Sequence, residues 1–141
     1  MKSPPLLIAF AFATSCAPAA PDIAVNDAWA RATAAGQSSG AVYATIANRG
    51  AADQLVGVSS EAGTAMLHRS DQEGGVARMR MVSEVPIPAG GEVALAPGGT
   101  HIMLTGLAAP LAIGTDLPLT LRFAKAGPRT VRVAVVAAGA R

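Results

Sequence analysis

The sequence predicts an all-β domain of about eight or nine short strands, arranged as a sandwich or barrel. Two observations carry this. The apolar or alternating runs are short, and Gly, Pro, Asn or Asp interrupts each of them. The runs also recur at the close spacing of strands joined by turns, without an internal repeat or a long linker. A chain of 141 residues fits one such domain.

In chain order, the first strand falls near Ile23-Ala24-Val25 and Ala28-Trp29-Ala30-Arg31. Ala28 to Ala35 is alanine-rich, but Trp29 and the following Gly36 favour a strand and loop over a helix. Ala41 to Ala47 forms the next strand and ends at Asn48-Arg49-Gly50. Gln54 to Val58 follows, then Ala65 to His68 after Gly63. Asp71-Gln72-Glu73-Gly74-Gly75 reads as a turn, and Val76 to Val82 alternates around Arg78 and Arg80. Glu92 to Leu95 leads into the turn Pro97-Gly98-Gly99, and His101 to Leu104 leaves it directly. Leu117 to Phe123 is bounded by Gly114 and Gly127. Arg129 to Val136 closes the domain with Val131, Val133 and Val135 on one face. Ala137 to Arg141 reads as a frayed end.

Residues 1–19 read as a secretory signal peptide, with Lys2, a short apolar core from Leu6 to Ala13, and small residues. The apolar run is too short for a transmembrane helix, which needs about 20 residues. Ala17-Pro18-Ala19 offers an A-x-A cleavage site, leaving 20–141 as the folded domain. Ala13-Thr14-Ser15-Cys16 competes with it, because it resembles a bacterial lipoprotein box with Cys16 as the lipid anchor. Ala13 replaces the usual leucine of that box. Both readings predict export to the periplasm, and both leave the domain without a cysteine for a disulfide, a thiolate site or a nucleophile. Without Lys2 the charge is ten basic against nine acidic residues, and the arginines are scattered. No nucleic-acid partner is expected.

Chemistry concentrates in His101-Ile102-Met103. Residues i and i+2 of a strand share a face, so this segment presents an imidazole beside a thioether. His68 follows Met66 in the same relation. His68, ten residues, Met79, twenty-one residues, His101, one residue, Met103 gives two imidazoles and two thioethers. Neutral soft donors of this kind favour Cu(I), whereas structural zinc favours thiolates and blue copper requires one. A single methionine in a β-protein is ordinarily core filler. Here both histidines and two of the five methionines fall in one arrangement.

The spacing resembles the H-x10-M-x21-H-x-M signature of periplasmic copper chaperones of the PCu(A)C family. The surrounding words match too: Gly74-Gly75-Val76, Ile87-Pro88-Ala89-Gly90-Gly91, Pro97-Gly98-Gly99-Thr100 and Leu117-Pro118-Leu119-Thr120. Ala28-Trp29-Ala30-Arg31 and Ala41-Val42-Tyr43 resemble the family's opening strands. The resemblance covers nearly all of 20–141. It implies a cupredoxin-like (Ig-like Greek-key) β-sandwich with an exposed Cu(I) site, and ligand roles for His68, Met79, His101 and Met103. It also implies copper delivery toward a respiratory oxidase, with a thioredoxin-like assembly factor or an oxidase subunit as donor or acceptor. A monomer is expected. Two features depart from the family. The chain stops at Arg141 without a His/Met-rich tail, and Met66 stands where many members carry a polar residue. Met66 and Met81 each share a strand face with a proposed ligand, and packing is the expected role of both.

No catalytic residues are expected. Asp71 and Glu73 lie near His68, but no nucleophile motif and no H-E-x-x-H pattern accompanies them. The competing expectations are a copper buffer that stores rather than delivers, and a metal-free structural sandwich.

Overall fold

A computed structural model describes residues 19–141. The expectations for the signal peptide and for Cys16 lie outside the described residues. Ten strands are present among the described residues: β1 (Ile23–Arg31), β2 (Ser39–Asn48), β3 (Asp53–Ser60), β4 (Thr64–Glu73), β5 (Val76–Met81), β6 (Val85–Ile87), β7 (Glu92–Leu95), β8 (Thr100–Thr105), β9 (Asp116–Phe123) and β10 (Gly127–Val136). The strand beyond the expected eight or nine is β6. Its three residues Val85-Pro86-Ile87 are too few to show an alternation in sequence. Pro86 is tolerated because β6 ends the hydrogen-bonded path.

That path runs β5-β4-β8-β2-β1-β10-β9-β3-β6, with β7 paired to the second half of β2. It folds over on itself as a sandwich. One layer contributes Val42, Ile46, Leu67, Ile102 and Leu104 to the core, and the other contributes Leu55, Leu119, Leu121, Phe123 and Val133. Alternation carries this directly: Leu117, Leu119, Leu121 and Phe123 of β9 are buried, while Asp116, Pro118 and Arg122 are exposed and Thr120 is half-buried. Among the described residues no helix is long and apolar enough to cross a membrane.

Two local features set up the face opposite the core. In β1 the register shifts between Asn26 and Trp29, and Asp27 takes a positive φ of 50°. A bulge inserts one residue and so exchanges the two faces of the strand beyond it. Ile23 and Val25 therefore pack on the core before the bulge, and Ala28 and Ala30 do so after it. Trp29 turns outward and lies opposite Tyr43. The second feature is the β4–β5 hairpin. Asp71, Gln72 and Glu73 extend β4 instead of forming the expected turn, and only Gly74-Gly75 makes the connection. Both glycines have positive φ, 60° and 80°, which a two-residue hairpin turn of the twist-compatible kind requires.

Candidate metal centre

The hairpin and β8 bring the predicted donors onto one sheet face. β4 pairs with β8 so that His68 lies opposite His101 and Met66 opposite Met103. The imidazole centroids are 6.1 Å apart. Leu67, Ile102 and Leu104 point the other way, into the core. β5 pairs with β4 so that Met81 lies opposite His68 and Met79 opposite Ser70. In register, Met79 and Met103 thus lie toward opposite ends of the histidine pair, and neither is directly opposite a histidine.

Burial grades across this face. His101 is 4% exposed, Met103 and His68 are half-buried, and Met79 is 60% exposed on the edge strand β5. Behind His101, Tyr43 and Trp29 continue the row of rings, with centroid separations of 6.2 Å and 4.6 Å. They form a buried aromatic wall outside the main core, and Arg31 lies over the Tyr43 ring at 5.6 Å.

The two histidines are held differently. His101 Nδ1 lies 3.0 Å from the Gly99 carbonyl oxygen. A carbonyl can only accept, so Nδ1 carries the proton and donates it, and Nε2 keeps its lone pair for a metal. Gly99 is fixed in turn, because its carbonyl also accepts the Ser70 backbone N–H at 3.2 Å and its own N–H reaches Ala96. The Pro97-Gly98-Gly99 turn therefore orients the His101 ring as well as delivering it. His68 Nδ1 is buried and has no hydrogen-bond partner in the protein. A desolvated ring nitrogen without a partner is costly and fits a donor that a soft cation would satisfy.

A family model described as "Putative lipoprotein LpqE-like" matches residues 23–135, from the first strand to the last. The chain belongs to the LpqE-like family. "Putative lipoprotein Lxx21020" of Leifsonia xyli subsp. xyli is 37% identical over 116 residues, covering 80% of this chain and 69% of that protein. Among solved structures, the copper-bound PCuAC domain from PmoF2 superposes with a TM-score of 0.69 at 27% identity, covering 82% of this chain and 93% of that domain. The Cu(I) form of DR1885 from Deinococcus radiodurans superposes at 0.64 with 30% identity, covering 89% of this chain and 83% of that one. The all-β fold of this LpqE-like chain is thus that of PCuAC copper-binding domains, as the sequence resemblance implied.

Two features of this sheet face were not read from the sequence. Packing does not account for Met81, which is 70% exposed and directly opposite His68. The sequence hides this because hairpin register depends on the turn length, and Asp71 to Glu73 read as turn residues although they extend β4. The wall of Tyr43 and Trp29 was also missed. Its only sequence signal is Tyr43 at an alternate position of β2, since the β1 bulge that aligns Trp29 with it leaves no mark in the pattern.

Proposed function

We propose that this protein is a periplasmic Cu(I) metallochaperone. One Cu(I) is held by His68, Met79, His101 and Met103 on the outer face of the sheet and passed to a protein that assembles the copper centre of a respiratory oxidase. The chain is exported behind residues 1–19 or held at the membrane through Cys16, and it acts as a carrier without catalysis. The observation that carries the reading is the His101 ring, which is buried, fixed through Gly99 and faces a second histidine with thioethers on the same sheet face.

The donor chemistry supports copper over other cargo. No group of three or more His, Cys, Asp or Glu side chains gathers among the described residues. Hard cations and structural zinc would want such a group. Two imidazoles with thioethers suit the soft, singly charged Cu(I), which needs no buried carboxylate for balance. The gradient from buried His101 to exposed Met79 suits delivery, because an entering ligand can replace the outer thioether while the inner donors keep hold.

A Cu(I) competition titration against a chromogenic chelator tests this on wild type and His101→Ala. Wild type takes up one tight equivalent. The variant loses more than the 10–100-fold that loss of a supporting partner outside the coordination sphere typically costs. Absence of binding in wild type would sink the reading. Transfer from loaded wild type to a soluble copper-accepting domain separates delivery from storage.

A further inference from the structure

We propose that Met66, His68 and Met81 form a second, three-donor Cu(I) position that shares His68 with the four-ligand one and serves as its way out. The proposal rests on Cu(I) binding at the four-ligand position and adds a step to it.

The register places these three side chains together more directly than it places Met79. Met81 is the cross-strand partner of His68, and Met66 is its i−2 neighbour on the same face. Directly opposed residues have Cβ atoms roughly 4.5–5.5 Å apart, and same-face neighbours on one strand lie about 7 Å apart. Three rotatable bonds let each methionine close that distance. Met66 and Met81 also meet at one recess of about 180 Å³ beside His68, which is lined by Val56, Val58, Leu67 and Val82 but not by His68 itself.

Packing does not explain Met81. It is 70% exposed, on a strand that is exposed along its whole length. A thioether there gains little from burial but remains available to a soft cation. The contrast between the histidines supplies the route. His101 is fastened to Gly99, whereas no protein group holds His68 Nδ1. His68 can therefore stay bound while the other donors change from His101, Met103 and Met79 to Met66 and Met81. Copper remains Cu(I) throughout. Cu–N and Cu–S bonds to one set break as Cu–S bonds to the other form, and no proton or electron moves.

The test uses the full chain with 13C-methyl methionine, titrated anaerobically with Cu(I) alone. In wild type the first equivalent shifts the Met79 and Met103 methyl signals. In His101→Ala, Cu(I) shifts Met66 and Met81 together. Met66→Leu/Met81→Leu keeps all four first-position ligands, so it takes up one equivalent as tightly as wild type but releases it to a chelator several-fold more slowly. If folded His101→Ala binds no Cu(I), or binds it with Met66 and Met81 unmoved, the second position does not exist. An unchanged release rate in the double variant overturns it as well, and decides alone if His101→Ala does not fold. Wild type that takes up no Cu(I) at all refutes the four-ligand reading, a result distinct from either of these.

Discussion

The β8 side of the candidate metal face and the β4–β5 hairpin carry the same donor types under opposite physical regimes. On β8, His101 is buried, its tautomer is set by the Gly99 carbonyl, and Tyr43 and Trp29 back the ring. On the hairpin, His68 Nδ1 lacks a protein partner, and Met79 and Met81 project from an edge strand. Ligand strength follows from ligand type, but ligand lability follows from how much of the donor's freedom the fold has already removed. A donor held in place loses little entropy on binding, and one that must be ordered loses more. Under the proposed function, the β8 side would therefore hold copper and the hairpin side would exchange it.

The largest expected effect is on the held side. His101→Ala should weaken Cu(I) more than His68→Ala, although both remove one imidazole. The Gly99 carbonyl keeps the Ser70 N–H in the variant, so the turn survives and the loss reports the ligand. Equal losses in a chelator competition would show that the Gly99 anchor contributes nothing. Both sides share one pH dependence. A histidine must be neutral to bind, so protons compete with copper, and retention falls as pH drops. Loaded protein dialysed stepwise toward acid should lose copper.

The next effect compares thioethers. Met103→Leu removes a half-buried donor beside the fixed ring, and Met79→Leu removes an exposed one. Both keep the side-chain volume close to that of methionine, so folding changes little. Met103→Leu should cost affinity chiefly, on the order of tenfold, about 1.4 kcal/mol. Met79→Leu should leave much of the affinity and change the rate of transfer to an acceptor. If Met79→Leu altered neither quantity, Met79 would have no part in binding or exchange.

The difference between the two sides explains what could be read in advance. Donor types, their strands and the shared face of His101 and Met103 follow from composition and a period of two, which local sequence encodes. So do the β9 alternation and the core face of Val131, Val133 and Val135. Cross-strand register does not, because it depends on which residues form the turn. Extending β4 through Glu73 sets Met81 opposite His68 and Met79 opposite Ser70. The β1 bulge at Asp27 is hidden for the same reason: one inserted residue exchanges faces without altering composition. The hydrogen bond from His101 to Gly99 is a property of backbone geometry that the Pro-Gly-Gly turn permits but does not spell out.

The smallest effect on copper should come from the opposite layer, which makes that layer the control. Asp53 is 4% exposed at the start of β3. Its carboxylate accepts backbone N–H groups from Gln54 at 2.8 Å and from Lys125 and Ala126 at 2.9 Å, tying β3 to the turn between β9 and β10. Burial pushes its pKa up, but the three N–H donors and the Lys125 charge outweigh burial and hold it below the ordinary carboxylate value. A lowered folded-state pKa means that the stability is complete above the ordinary carboxylate range and is lost as pH falls through the folded value. Asp53→Asn should cost about 1–3 kcal/mol at neutral pH, since charge-assisted hydrogen bonds become neutral and one acceptor is lost. Urea unfolding should show wild type losing more stability than Asp53→Asn between neutral pH and about pH 3. Copper affinity at neutral pH should match wild type. If Asp53→Asn weakened Cu(I), the two layers would be coupled and the division between the two sides would not be local to the candidate metal face.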